Sequence, residues 1–217
     1  MRVKICGVRD LDELKICIKY ADAVGFVTEY PIEVPWNISR EKAKQLISKT
    51  PPFVYTVVVT AGSVEKVLEI AEYTKANAIQ LHGNESEKEV EEIVKELDAK
   101  VIKALQIDLE TGKIYNKNPI EVAKSYARYV DAVVLDSKTK NMPAGTGKPF
   151  NWEIARKVRE KIEIPLILAG GLNSRNVKQA IEIIKPHAVD VISGVETNGK
   201  KDEKKIREFI IAAKVIK

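Results

Sequence analysis

The chain has 217 residues, 45% of them hydrophobic and 31% charged, with 36 Lys and Arg against 31 Asp and Glu for a net charge of +5. That length supports one full core, so residues 1–217 are expected to form a single domain, and two cysteines, Cys6 and Cys17, make neither a disulfide framework nor a metal cluster. Basic and acidic residues mingle along the same stretches, which argues against a nucleic-acid surface and mildly for anionic small molecules, and no run of about eighteen apolar residues offers a membrane span.

From the amino terminus, short β-branched runs alternate with amphipathic stretches without a lapse. "VKIC" (3–6) reads as a strand and is followed by a helical stripe of Leu11, Leu14, Cys17, Ile18 and Ala21. "AVGFV" (23–27) is the second strand, with a helix start at Ser39. "VYTVVV" (54–59) leads to Ser63 and the stripe Val64, Val67, Leu68 and Ala71, and "AIQLH" (78–82) to a capping box of Ser86 with Glu89. "VIKALQ" (101–106), "AVVLD" (132–136), "PLILAGG" (165–171) and "VDVISG" (189–194) complete eight strands. Asn176 is expected to cap the helix at Val177, and Ile206, Phe209, Ile210 and Ala213 form the last stripe. Pro31, Pro35, Pro51, Pro52 and Pro119 fall in the connections.

Strands separated by helices pair in parallel through right-handed crossovers. Eight such repeats in 217 residues are just enough for a (β/α)8 TIM barrel with short loops, a fold that typically takes ~250 residues. A doubly wound open sheet is the structural alternative, although no G-x-G-x-x-G follows the first strand.

In a barrel the chemistry sits at the carboxyl ends of the strands. Here those ends are Cys6-Gly7, Val27-Thr28, Val59-Thr60, His82-Gly83, Gln106, Asp136-Ser137, Gly170-Gly171 and Ser193-Gly194. Glycine turns leading into helix starts bind phosphate through free amides and the helix dipole, and the loops after strands seven and eight are the usual place. Gly170, Gly171, Asn173, Ser193 and Gly194 are therefore the candidate phosphate site.

"KICG", "QLHG", "LDS" followed by "GTGKPFNW", "LAGGLNSRNV" and "VDVISGVE" followed by "GKKD" occur in register over nearly the whole chain, and together they resemble the phosphoribosylanthranilate isomerases of tryptophan biosynthesis. The resemblance implies an Amadori rearrangement, in which N-(5-phosphoribosyl)anthranilate becomes 1-(2-carboxyphenylamino)-1-deoxyribulose 5-phosphate. It matches Cys6 to the family's general base and Asp136 to its general acid, with no metal and no organic cofactor. The chemistry agrees: ring opening needs a proton on the departing oxygen, and a base must then remove the C2 proton. A cysteine base must be a thiolate against a reference pKa of about 8.5, so positive charge is expected beside Cys6, with Lys4 on the same strand face the nearest source. Asp136 must hold a proton against a reference of about 3.9, which burial would assist.

The family also carries an arginine shortly after the second strand, facing the anthranilate carboxylate. Here "VTEYPIEVPWNISR" has no Arg or Lys between Val27 and Ser39, while Glu29 and Glu33 add negative charge. Arg9 and Arg40 are the remaining cationic candidates, and Trp36 is a candidate for stacking on the anthranilate ring. His82 looks into the site as a pocket-shaping or proton-moving group, Gly145 and Gly147 suit hinges of a loop over it, and Cys17, on an apolar stripe, reads as core. Two further readings stay open: another phosphosugar barrel enzyme, which would need a histidine metal set or a catalytic lysine, and a silent phosphate-ligand binder. The chain offers no basic and apolar leader before its first strand, and its free thiols fit a reducing compartment, so a cytoplasmic protein is expected. The high charge and few cysteines match a heat-adapted composition, and a homodimer is the expected assembly if any forms.

Overall fold

The computed structural model describes residues 1–138 and 149–214. Within them the Val- and Ile-rich runs become strands, because branched side chains fit a pleated, buried surface: β1 (Arg2–Ile5), β2 (Ala23–Val27), β3 (Tyr55–Thr60), β4 (Ala78–Leu81), β5 (Lys100–Asp108), β6 (Ala132–Lys138), β7 (Leu166–Leu168) and β8 (Ala188–Val191). Each is followed by a helix: α1 (Leu11–Cys17), α2 (Arg40–Ile47), α3 (Val64–Thr74), α4 (Glu87–Glu96), α5 (Pro119–Tyr126), α6 (Trp152–Arg159), α7 (Val177–Ile184) and α8 (Glu203–Lys214). The strands pair in parallel in sequence order, and β1 pairs with β8 in the register Lys4 to Asp190 and Ile5 to Val191. That last pairing closes the sheet and rules out the open doubly wound alternative.

Closure divides the strand residues into two cores. Val57, Val59, Ala78, Ile102, Ala104, Ala132 and Val134 fill the barrel with Cys6. Their neighbours Val58, Ile79, Leu105, Val133, Val3 and Ile5 point outward under the helices. Cys17 belongs to this outer layer and is buried, and burial pushes its thiol up to about 12, consistent with an inert packing residue.

The helix starts follow their caps. Ser39, Ser63 and Ser86 accept from the amides of Lys42, Lys66 and Glu89, and Ser86 with Glu89 forms the full capping box; such a cap stabilises by ~0.5–2 kcal/mol. Asn176 departs from expectation. Its side chain caps no helix; Oδ1 accepts from the Asn173 amide at 2.8 Å and Nδ2 donates to Gly171 O at 2.9 Å. It braces the loop after β7 instead. Several strand ends also move: β5 runs past Gln106 to Asp108 and β6 past Asp136 to Lys138, while β7 stops at Leu168 and β8 at Val191, which leaves Gly170, Gly171, Ser193 and Gly194 outside the strands.

Lys103 is a buried charge that the sequence reading left unremarked. Its side chain is fully buried, and Nζ donates to Gly83 O at 2.8 Å and to Glu85 Oε2 at 2.7 Å. Burial lowers its pKa while Glu85 opposes the fall. Glu85 in turn accepts from the Gly83 amide, and Tyr126 Oη donates to Glu85 O at 2.7 Å. A buried charge persists only when paired and hydrogen-bonded, and this pair pins the turn that follows His82.

Candidate active site

The inward parity of β1 places Lys4 and Cys6 one above the other inside the barrel mouth. Lys4 is 3% exposed, and its Nζ donates to Asp190 Oδ2 at 2.6 Å and to Gln80 Oε1 at 3.0 Å. Burial works against its charge, yet Asp190 and Cys6 together raise its pKa, so the ammonium is retained. The Lys4 ammonium also bears on the Cys6 thiol, whose pKa it lowers. The cation expected beside Cys6 is therefore present, but the balance differs from expectation. Burial is the largest influence and raises the thiol pKa, Lys4 and Lys201 oppose it, and Asp190 adds to the rise. Cys6 thus rests as a thiol, because desolvation of the thiolate outweighs two nearby ammonium groups. Room for its sulfur comes from Gly25 on β2, where any Cβ would fall 2.6 Å from Cys6 Sγ.

Across the mouth, β4 supplies His82 and β6 supplies Asp136. Asp136 is 8% exposed; its Oδ1 accepts from the Ser137 amide at 2.7 Å, and its Oδ2 lies 3.5 Å from His82 Nε2. His82 Nδ1 contacts Gln80 Nε2 at 3.0 Å. The His82 carbonyl accepts from Tyr30 Oη at 2.9 Å and from Gln106 Nε2 at 3.4 Å, and the Tyr30 ring meets the imidazole edge-on at 6.3 Å. Cys6, Gln80, His82, Asp136 and Asp190 all line one cleft at the barrel mouth.

The same cleft is rimmed by Gly170, Gly171, Leu172, Ser193 and Gly194. Gly170 and Gly171 have φ of 86° and 65°, a left-handed turn that glycine enters without strain. Among the described residues the amides of Gly171 and Leu172 donate to no protein acceptor. Amides presented this way, just ahead of α7, suit a phosphate. Ser193 and Gly194 form a 3₁₀ turn beside them, packed so closely that a Cβ at Gly194 would collide with Leu172 O. Asn173, a candidate for the same role, stands outside the cleft lining, because its amide is taken by Asn176 Oδ1 and its Oδ1 by the Arg175 amide.

A sequence model of the N-(5'-phosphoribosyl)anthranilate (PRA) isomerases matches residues 3–212. The chain belongs to the PRA isomerase family. The chain is 41% identical to the N-(5'-phosphoribosyl)anthranilate isomerase of Methanocaldococcus jannaschii over 223 residues, covering 100% of this chain and 98% of the relative. A crystal structure of the Thermotoga maritima phosphoribosylanthranilate isomerase superposes with a TM-score of 0.84 at 38% identity, covering 100% of both chains. Another isomerase structure, in complex with reduced 1-(o-carboxyphenylamino)-1-deoxyribulose 5-phosphate, gives a TM-score of 0.81 at 36% identity, again over 100% of both chains. Family membership sets aside the reading of the chain as a different phosphosugar barrel.

The cationic candidates for a PRA isomerase carboxylate contact are both engaged elsewhere. Arg9 Nη2 donates to Glu13 Oε1 and to Gly199 O, each at 2.5 Å, its Nε donates to Glu13 Oε2 at 3.3 Å, and it does not line the cleft. Arg40 forks onto Glu29 at 2.6 and 2.9 Å and reaches Glu69 at 3.4 Å, also away from the cleft. Trp36 does line it, with Nε1 donating to Glu196 Oε1 at 2.9 Å. Glu196 also holds the buried Lys201 at 2.7 Å, between the short strands β9 (Glu196–Thr197) and β10 (Lys200–Lys201). Gly145 and Gly147 lie outside the described residues. Among the described residues no group of three or more His, Cys, Asp and Glu is placed to hold a metal ion.

Proposed function

We propose that Cys6 and Asp136 are the proton-transfer pair with which this chain isomerises N-(5'-phosphoribosyl)anthranilate to 1-(2-carboxyphenylamino)-1-deoxyribulose 5-phosphate in tryptophan biosynthesis. The observation that carries this is the convergence in one cleft of Cys6, Asp136 and the glycine rims after β7 and β8. The phosphate binds the Gly171 and Leu172 amides with the adjoining Ser193 and Gly194 turn beside it, which sets the sugar across the barrel mouth. Asp136 Oδ1 is held by the Ser137 amide, so Oδ2 is the oxygen that gives its proton to the ring oxygen. The C1–O bond breaks, and the anilino nitrogen supplies the electron pair of the Schiff base. Cys6, as thiolate, takes the C2 proton, and the enolamine tautomerises to the ketone. Lys4 and Lys201 lower the cost of that thiolate, and Trp36 stacks on the anthranilate ring. No metal or cofactor takes part in this sequence of proton transfers.

The test is turnover of freshly generated substrate, followed by its fluorescence, with products identified by mass. Cys6→Ala and Asp136→Asn are each expected to lose at least ~10²-fold in kcat, the scale of a general acid or base. A folded Cys6→Ala protein with wild-type kcat would demote Cys6 to packing. An inert wild type that still binds the product analogue would favour the silent binder.

We read residues 1–217 as one domain of a heat-adapted cytoplasmic enzyme, with small molecules as its ligands and neither nucleic acid nor membrane as a partner. No helix among the described residues is long and apolar enough to cross a membrane. We also infer a homodimer. Phe53 is 99% exposed beside a cavity at the amino-terminal face of the barrel, lined also by Tyr55, Ile102 and Ile167, and with the exposed Tyr55 it makes an apolar patch that suits a second copy. A relative from Thermotoga maritima is described as dimeric. Sedimentation of the wild type at twice the mass of Phe53→Asp would support this; a wild type at the mass of one chain would remove it.

A further inference from the structure

We propose that Gln80 is a positioning residue that fixes the tautomer of His82 and so aims an imidazole N–H at Asp136. The inference rests on the reading of Asp136 as the general acid, and begins at a residue with no such freedom. Lys4 carries only donors, and its Nζ lies 3.0 Å from one end of the Gln80 amide. That end must be the oxygen. The amide nitrogen is then turned to His82 Nδ1, at 3.0 Å. Because that nitrogen only donates, Nδ1 must accept, and a neutral imidazole keeps its one proton on the other nitrogen. His82 Nε2–H consequently faces Asp136 Oδ2 at 3.5 Å, and Nε2 has no closer partner among the described residues.

The choice of tautomer matters to an acid. When Asp136 gives its proton to the substrate oxygen, a carboxylate forms in a buried place, and an N–H turned toward it stabilises that charge as it develops. The opposite tautomer would present a lone pair, which repels the carboxylate and competes for the proton that Asp136 is meant to give away. A half-turn of the ring would put Cδ2 against the Gln80 amide and Cε1 against Asp136, so the orientation seen is the one in which both ring nitrogens face a polar group. Gln80 touches neither Cys6 nor Asp136 in this scheme. Its function is to carry the fixed orientation of Lys4 across the barrel to the acid.

The chain has two histidines, His82 and His187, so ¹⁵N imidazole spectra of the wild type and of His187→Asn assign the His82 ring directly. The expected result is a bare Nδ1 and a protonated Nε2; a protonated Nδ1 in the neutral ring would overturn the proposal, with no variant needed. Gln80→Glu then replaces the donor by an acceptor that keeps its bond to Lys4. It should place a proton on Nδ1 and lower kcat by about tenfold to a hundredfold, a smaller loss than the ~10²–10⁴-fold of a proton-transfer group itself. KM should change less than twofold. A ring state changed by Gln80→Glu with kcat intact would also overturn it. Should that variant not fold, Gln80→Met tests the same loss of the donor. Full activity in Asp136→Asn would instead remove the acid reading while leaving the tautomer result standing, so the two failures are distinguishable.

Discussion

Gly25 is the residue whose replacement tests the geometry of the thiol most directly. A methyl group added there would lie 2.6 Å from Cys6 Sγ, 3.1 Å from Cys6 Cβ and 2.9 Å from Lys4 Cε. Nonbonded heavy atoms rest at roughly 3.5–4.0 Å, so the sulfur must retreat by about 1 Å. Overpacking of this kind costs ~1–3 kcal/mol, which in a chain of this size lowers Tm by about 2–12 °C. A misplacement near 1 Å also costs on the order of 10²-fold in rate. Gly25→Ala should therefore lose kcat and melt earlier, read by product formation and by calorimetry. The cause is separable: in Cys6→Ala with Gly25→Ala the sulfur is gone, so part of the lost stability should return as a coupling of ~0.5–3 kcal/mol, while activity stays absent. Wild-type kcat and Tm in Gly25→Ala, or strictly additive stability losses in the double variant, would refute the contact as the source.

The base form of Cys6 is the deprotonated one and burial raises its pKa, so log kcat/KM should rise with pH through the alkaline range; Lys4→Met removes a charge that lowers this pKa and should move the limb higher, and a profile already flat at neutral pH would contradict both. Asp190→Asn leaves Lys4 buried without its carboxylate at 2.6 Å, and urea unfolding should report a loss of ~3–5 kcal/mol. Trp36→Leu removes about 0.5–1.5 kcal/mol of aromatic contact with the anthranilate ring, raising KM by roughly two- to twelvefold with kcat little changed, measured by steady-state kinetics.

The repeat of strand and helix was legible because periodicity and caps are local properties, and Ser39, Ser63 and Ser86 sit where their side chains meet the third amide beyond. The mouth residues Cys6, His82 and Asp136 were legible because parity along a strand decides which side chains enter the barrel. Gln80 and Asp190 were missed, although each is polar at an inward position. Nothing in sequence shows that Asp190 meets Lys4, since their pairing exists only once β8 closes onto β1. Arg9 was misplaced despite a local signal, as Glu13 four residues on is the ordinary helical partner of a cation. The partner of Arg40 is 11 residues back, across the loop after β2, and carried no such signal. Asn176 looked like a cap by type and place; the chain used its amide to close the turn at Gly171 instead.

Glu196 receives the indole N–H of Trp36 from a segment 160 residues away, while the same carboxylate binds Lys201. Two stretches remote in the gene therefore share one acceptor. A Trp36→Arg change would bring a guanidinium to a carboxylate that already holds an ammonium, so Glu196 would divide its charge between two cations. A substitution at position 36 is thereby also a change in the setting of Lys201, and through that ammonium in the setting of the Cys6 thiol.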